Sequence, residues 1–98
     1  MTKLSPVHPG EVLREDFLTP NALSANRLAM DLRVPASRIG EIIHGRRSVT
    51  AETALRLARY FGTTAEFWLN LQSHYDLQVA KDASAEAIAR DVRPLCTA

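Results

Sequence analysis

The stretch VPASRIGEIIHGRRSVT, residues 34–50, holds the side chains whose types and spacing are best suited to chemistry. On a helix its isoleucines fall on one face and its small and charged residues on the other. Small residues at the start of a helix permit close approach to the floor of a DNA groove, where hydroxyl and guanidinium groups can bind base edges. Arginine also binds phosphate through two parallel hydrogen bonds. The outward positions that this spacing predicts are Ala36, Ser37, Arg38, Glu41 and His44.

Polar residues on either side of these positions extend the same pattern. Arg46 and Arg47 follow Gly45, a natural left-handed helix stop, and can reach the sugar–phosphate backbone beside a groove. Ser24 and Asn26, near the start of the preceding helix, are predicted to contact phosphates of the other strand. A solvated surface on which arginines cluster by chance is the alternative interpretation.

The basic charge is concentrated in the middle of the chain. The 98 residues carry a net charge of +1, but residues 24–62 hold seven basic residues against three acidic ones, a net charge of +4. All seven are arginines. Residues 1–23 and 63–98 carry −1 and −2. This distribution favours a phosphate-bearing partner for the middle segment.

The composition is typical of one small globular domain. Hydrophobic residues make up 46% of the chain, which argues against disorder. No apolar run is long enough to cross a membrane, and the N-terminus does not resemble a signal peptide. The single cysteine, Cys96, cannot form an internal disulfide, so we expect a protein of the reducing cytoplasm.

Helical periodicity without a strand pattern predicts an all-α fold with five main helices. The first helix opens at HPGEVLREDFL, with Pro9 at an initial helical position. Ser24 is a good cap for the second, SANRLAMDL, and Pro35 starts the third, which stops at Gly45. Two short helices joined by a turn of about three residues form a helix-turn-helix. We place it over about residues 24–44.

The last two helices have threonine start signals. Thr50 is predicted to cap the fourth helix. Thr63 and Glu66 have the spacing of a capping box, which predicts that the fifth helix begins there and runs through residue 80.

We divide the chain into a helix-turn-helix DNA-binding domain, residues 1–80, and a C-terminal tail, residues 81–98, as a candidate dimerisation element. The structure of the tail stays open at this point. Ser84 could cap a short helix there, but Pro94 excludes a long one.

Three segments of the chain resemble the HigA family of antitoxins, whose domain is similar to the phage-repressor (Xre/Cro-type, lambda repressor-like) helix-turn-helix. The segments are HPGEVLRE, RIGEIIHGRRSVTAETALRLARYFGT and FWLNLQSHYDL, within residues 7–77. The last is the most specific, because the wider repressor family does not share it. The resemblance implies a five-helix bundle of the phage-repressor type. It also implies a non-enzymatic protein that represses its own operon by binding double-stranded operator DNA, and that neutralises a HigB-type ribonuclease toxin.

The resemblance also implies roles for individual residues. The residues expected to contact bases are Ala36, Ser37 and Glu41, and those expected near phosphates are Arg38, His44 and Arg46. The chain departs from the repressor pattern at Ala25, where a phosphate-binding glutamine is usual. Asn26 or Arg27 would have to replace that contact.

An aromatic-rich stripe lies on the predicted fifth helix. Its members are Phe67, Trp68, Leu71 and Tyr75. Burial in the core is the ordinary explanation for such a stripe. Packing against a second copy is the alternative, because repressor-type domains generally bind two half-sites as a two-fold dimer. We therefore predict a homodimer to which the fifth helix or the tail contributes.

Catalytic and metal sites find no support in the sequence. His8, His44 and His74 are too scattered for a metal site, and no cysteine pair accompanies them. No arrangement of base, acid and nucleophile is evident, so we expect neither an enzyme nor a cofactor.

Three other functions remain open. They are a solitary Xre-type regulator, a protein-interaction module without DNA binding and, more weakly, the ribonuclease toxin itself. An adjacent upstream reading frame for a small basic protein would separate the antitoxin from these alternatives.

Overall fold

The computed structural model describes residues 5–96. Within that range the chain is all-helical, which confirms the predicted fold class. Helix α1 begins as an α-helical turn, Pro9–Val12, and continues as a π-helical segment, Leu13–Leu18. The other helices are α2 (Ala25–Leu32), α3 (Ala36–Ile43), α4 (Ala51–Phe61) and α5 (Ala65–Asp91). Helices α2 and α3 form the predicted helix-turn-helix.

Helix α1 starts with a histidine cap. The ring Nδ1 of His8 accepts a hydrogen bond of 2.9 Å from the backbone N–H of Gly10, and Pro9 occupies the first helical position, as predicted. The π-helical segment widens the turn, because its hydrogen bonds join residues five apart. The wider turn lets Leu13 and Leu18 share the inner face, where both are buried.

Two of the predicted caps are confirmed. The hydroxyl of Ser24 accepts a hydrogen bond of 3.0 Å from the backbone N–H of Arg27 at the start of α2. The hydroxyl of Thr50 accepts one of 3.4 Å from the backbone N–H of Thr53 at the start of α4. Each satisfies one of the N–H groups that a helix N-terminus leaves without a partner. The sequence therefore sets both of these helix starts locally.

The predicted capping box of Thr63 and Glu66 is wrong. The cap of α5 is the next residue, Thr64, whose hydroxyl accepts a hydrogen bond of 3.1 Å from the backbone N–H of Phe67. The hydroxyl of Thr63 instead accepts a hydrogen bond of 2.8 Å from the indole N–H of Trp68. Burial of the tryptophan ring recruits the first threonine, so the helix begins one residue later.

The core lies where α1, α2, α3, α4 and the first half of α5 meet. Ile39 and Ile42 of α3 are fully buried in it. Burial of such side chains is worth roughly 1.5–3 kcal/mol each, which is how a helix too short to be stable alone is held. The buried apolar residues are Leu13, Leu18, Leu28, Ala29, Leu32, Ile39, Ile42, Val49, Ala54, Leu57 and Trp68.

Helix α5 is longer than predicted and continues past residue 80 to Asp91. Ser84 therefore lies inside it and caps no separate helix. The chain measures 56 Å along its longest axis, and the second half of α5 is mostly exposed. No break marks the boundary between residues 80 and 81, and that division remains a prediction whose ends, residues 1–4 and 97–98, lie outside the described residues.

Candidate nucleic-acid interface

Helix α3 presents an open N-terminal end. Its cap is Pro35, which offers no side-chain hydrogen bond to the first turn. Ala36 and Ser37 follow and are exposed, while Ile39 and Ile42 point into the core. The N-terminus of a helix carries partial positive charge and N–H groups that can bind an anion. This end of α3 can therefore receive a phosphate or the edge of a base.

Most of the predicted DNA-contacting residues lie at the surface. Eight are exposed: Ser24, Asn26, Arg27, Ala36, Ser37, His44, Arg46 and Arg47. The other two, Arg38 and Glu41, are half-buried. The packing of α2 against α3 holds both helices of the motif on one body. The surface of this motif is thus open, apart from two side chains that pack partly against their neighbours.

Arg27, proposed as a substitute phosphate contact, is already engaged. Its Nε lies 3.1 Å from a carboxylate oxygen of Asp31, one turn further along α2. The hydroxyl of Tyr60 donates to the same carboxylate over 2.5 Å. This hydrogen bond, and secondarily Arg27, holds the pKa of Asp31 below its usual value, and the pKa of Tyr60 is raised by the same bond. A phosphate would have to compete with Asp31 for Arg27.

The arginines after α3 differ from each other. Arg47 donates from Nε to a carboxylate oxygen of Glu41 over 2.9 Å, so two residues predicted to contact DNA contact each other. Arg46 is exposed and has no side-chain partner among residues 5–96. Because no carboxylate has to be displaced, Arg46 is the arginine of this loop that can meet a phosphate directly.

His44 ends α3 with its ring folded back onto the helix. Its Nδ1 lies 2.7 Å from the carbonyl oxygen of Gly40. A carbonyl oxygen only accepts, so Nδ1 must carry the hydrogen and donate it. The other ring nitrogen then remains as the group with which His44 can meet DNA.

Gln72, which the sequence analysis missed, anchors the loop that carries these arginines. It is buried, and its side-chain oxygen accepts a hydrogen bond of 2.8 Å from the backbone N–H of Val49. Its side-chain nitrogen donates to Asp76 over 2.9 Å. A polar residue one turn after Trp68, on the apolar stripe of α5, is the signal that could have identified it.

The residues predicted at the dimer interface have different environments. Trp68 is fully buried and packs against Phe17, so its assignment to an interface is wrong and the core interpretation is correct for it. The cause is that α5 completes the core of its own chain. Phe67 is 38% exposed, whereas Leu71 and Tyr75 are half-buried. These three can still contribute to a contact.

Residues 5–96 contain neither a candidate metal-binding cluster nor a helix suited to span a membrane. No group of three or more histidine, cysteine, aspartate or glutamate side chains there could hold a metal ion. No helix in the same part of the chain combines the length and the hydrophobicity needed to cross a bilayer.

Several known proteins are similar to this chain in sequence and in fold. The Helix-turn-helix family profile matches residues 15–68. Virulence-associated protein I of Dichelobacter nodosus is 53% identical over 79 residues, which cover 81% of this chain and 73% of that protein.

Two solved structures are similar over nearly the whole chain. An addiction module antidote protein of the HigA family from Coxiella burnetii is 49% identical with a TM-score of 0.89, and the match covers 94% of this chain and 100% of that one. The Pseudomonas aeruginosa antitoxin HigA, solved with the higBA promoter, is 43% identical with a TM-score of 0.90, covering 93% and 99%.

The fold and the exposed α2–α3 motif define a helix-turn-helix protein of non-enzymatic type. More narrowly, the chain belongs to the HigA family of antitoxins.

Proposed function

We propose that the chain is an antitoxin that represses its own operon and neutralises a HigB-type ribonuclease toxin. The observation that carries this proposal is the open start of α3, held outward by two buried isoleucines and with Arg38 in its first turn. The relative from Pseudomonas aeruginosa, solved with its promoter, supports the same use of the motif here.

Within the motif the residues divide by position. Ala36 and Ser37, small and exposed, are suited to reach base edges in the major groove. Glu41 is placed one turn later, where its carboxylate can accept from a cytosine amino group once Arg47 releases it. Arg46, beyond the end of α3, is suited to contact only the backbone. Base contacts would then set the sequence preference and Arg46 the general affinity.

Operator binding calls for two copies of the chain. A helix-turn-helix dimer spans two half-sites about 34–36 Å apart. Exposed apolar side chains lie on the second half of α5 and just after it: Leu77 and Ile88 are each 54% exposed, and Val92, the residue that follows the helix, is 62% exposed. A second copy of the chain that packs against the second half of α5 would cover these apolar side chains. On this view residues 81–98 serve dimerisation, and the protein acts in the cytoplasm, where its DNA lies.

A binding titration tests the DNA half of the proposal. Fluorescence anisotropy compares a duplex from the chain's own upstream region with a shuffled duplex of equal length. We expect the native duplex to bind at least about 10³-fold more tightly at physiological salt. Ser37→Glu, which places a negative charge at the groove, should abolish the preference for the native duplex. Ser73→Glu, which places the same charge at an exposed position of α5, should retain that preference. Equal affinity for both duplexes would instead favour a protein-interaction module.

Co-expression tests the toxin half. The product of the adjacent reading frame should arrest growth alone, and this chain should restore growth. Ser37→Glu should still restore it if toxin binding and DNA reading use different surfaces. If the adjacent frame encodes no growth-arresting protein, the chain is a solitary regulator.

A further inference from the structure

Glu52 lies between two arginines, one of which belongs to the reading helix. It stands in the first turn of α4, outside the residues that the sequence analysis selected. Its Oε1 lies 3.7 Å from Nη1 of Arg38 on α3 and 3.7 Å from Nε of Arg56, one turn further along α4. Neither distance is short enough for a hydrogen bond. The carboxylate is therefore shared between the two guanidinium groups.

Arg56 is fixed and lacks one partner. Its Nη1 donates a hydrogen bond of 2.9 Å to the carbonyl oxygen of Leu32 at the end of α2. Its Nε is buried and has no hydrogen-bond acceptor among the described residues. A buried N–H without an acceptor is destabilising. A movement of Glu52 by about 1 Å toward Arg56 would bring the two within hydrogen-bond distance.

The side chain of Arg38, unlike that of Arg56, makes no hydrogen bond within residues 5–96. It is 30% exposed, and that of Glu52 is 68% exposed, so solvent weakens the attraction between them. Releasing Arg38 is therefore cheap, and the carboxylate of Glu52 can then accept the hydrogen bond that Arg56 Nε donates to no other group among the described residues. The loss of the contact between Glu52 and Arg38 is offset by a hydrogen bond between Glu52 and Arg56.

We infer that Glu52 is a positioning residue that restrains Arg38 from binding arbitrary phosphates and releases it at the operator. On random DNA, Arg38 stays beside Glu52 and contributes little. On the operator, α3 docks deeply enough for Arg38 to bind DNA, and Glu52 turns to Arg56. This inference rests on the proposed DNA-binding function and adds a residue that sets its specificity.

The test compares Glu52→Gln with Glu66→Gln, which removes the same charge from an exposed position in the first turn of α5. Titrations on operator and random duplexes at several salt concentrations give affinities and salt slopes. For Glu52→Gln we expect random-DNA affinity to rise about threefold to tenfold and its salt slope to steepen by about one phosphate. The ratio of operator to random affinity should fall. Adding Arg38→Ala to Glu52→Gln should remove the gain.

A second variant should have the opposite effect on Arg38, strengthening its attachment to Glu52 instead of releasing it. Arg56→Met removes the guanidinium that competes for Glu52, so Arg38 should be held more tightly and operator affinity should fall. Thermal unfolding of each variant verifies that it is folded under the assay conditions.

The outcomes separate the inference from the function beneath it. If the unmodified protein prefers its operator but Glu52→Gln behaves like Glu66→Gln, the inference is wrong and DNA binding stands. If the unmodified protein does not prefer its operator, the proposed function fails.

Discussion

Gly10 of α1 lies directly against the backbone of Ile42 in the last turn of α3. A Cβ atom on Gly10 would stand 1.8 Å from the carbonyl oxygen of Ile42 and 2.9 Å from Cα of Ile43. Both neighbours are backbone atoms, which cannot move aside as the end of a side chain can. The first helix therefore supports the reading helix from behind, through a contact that only glycine permits.

Gly10→Ala should destabilise the fold strongly. We expect a loss of about 3 kcal/mol or more in the free energy of unfolding, since α1 must move away from α3. The matched control is Gly40→Ala, because a Cβ there meets no atom within 4 Å. Alanine inside a helix is favoured over glycine, so the control should gain about 0.5–1 kcal/mol. Urea denaturation of both variants measures the difference, and equal stability would contradict the close contact.

Gln72→Met should loosen the loop that carries Arg46 and Arg47. The substitution nearly conserves volume but leaves the backbone N–H of Val49 without its acceptor, at a cost of about 1–3 kcal/mol. Hydrogen exchange at the Val49 amide should accelerate. In the control Gln78→Met, the hydrogen bond that is lost, to Asp82, is exposed. This variant should change neither the free energy of unfolding nor the exchange rate at the Val49 amide. Unchanged exchange in Gln72→Met would show that the loop does not depend on this side chain.

Acidification should destabilise the protein through His8. Burial lowers the pKa of His8 below its ordinary value of 6.5, against a raising influence of Asp76. The unfolded chain therefore binds more protons than the folded one between the lowered pKa and 6.5. The stabilising contribution is complete above pH 6.5 and is lost as the pH falls below it toward the folded pKa. Protonation of Nδ1 would also remove the acceptor for Gly10.

His8→Asn keeps a capping acceptor without a group that titrates there. Unfolding midpoints measured from pH 5 to pH 8 should vary less in this variant than in the parent protein. An identical pH dependence in the two proteins would rule out His8 as its source.

Charged residues introduced on one face of the C-terminal half of α5 should dissociate the proposed dimer into monomers. Leu77 and Ile88 are eleven residues apart, close to three full turns, and so share a face. The double change Leu77→Glu and Ile88→Glu would place carboxylates in the proposed contact. Light scattering at micromolar concentration should give the mass of one chain for it and of two chains for the parent protein. Ala83→Glu, on the other side of the same helix, should remain a dimer.

Local signals predicted the features of the fold that depend on neighbouring residues. Helices start at Ser24 and Thr50 because each hydroxyl accepts a hydrogen bond from a backbone N–H three residues later. A helix starts at Pro9 because the N–H that proline lacks is not needed at that position. The turn between α2 and α3 follows from the short spacing of two apolar faces. These features needed no knowledge of the tertiary structure.

The features that the sequence did not predict depend on distant parts of the chain. Gly10 matters because of Ile42, thirty-two residues away, and Gln72 because of Val49. The start of α5 shifted because Trp68 uses the hydroxyl of Thr63. For Arg38 the sequence indicated an open choice between base and phosphate, but not the carboxylate of another helix beside it.

Arg46→Ala and Arg38→Ala, titrated on the chain's own promoter and on random DNA at two salt concentrations, test the central claim most directly. Arg46→Ala should weaken both DNAs alike and reduce the salt slope by about one phosphate. Arg38→Ala should cost roughly 1–3 kcal/mol on the operator, relax the preference at one position and leave random DNA nearly unaffected. If neither substitution changes binding to either DNA, α3 is not the reading element and the account is contradicted.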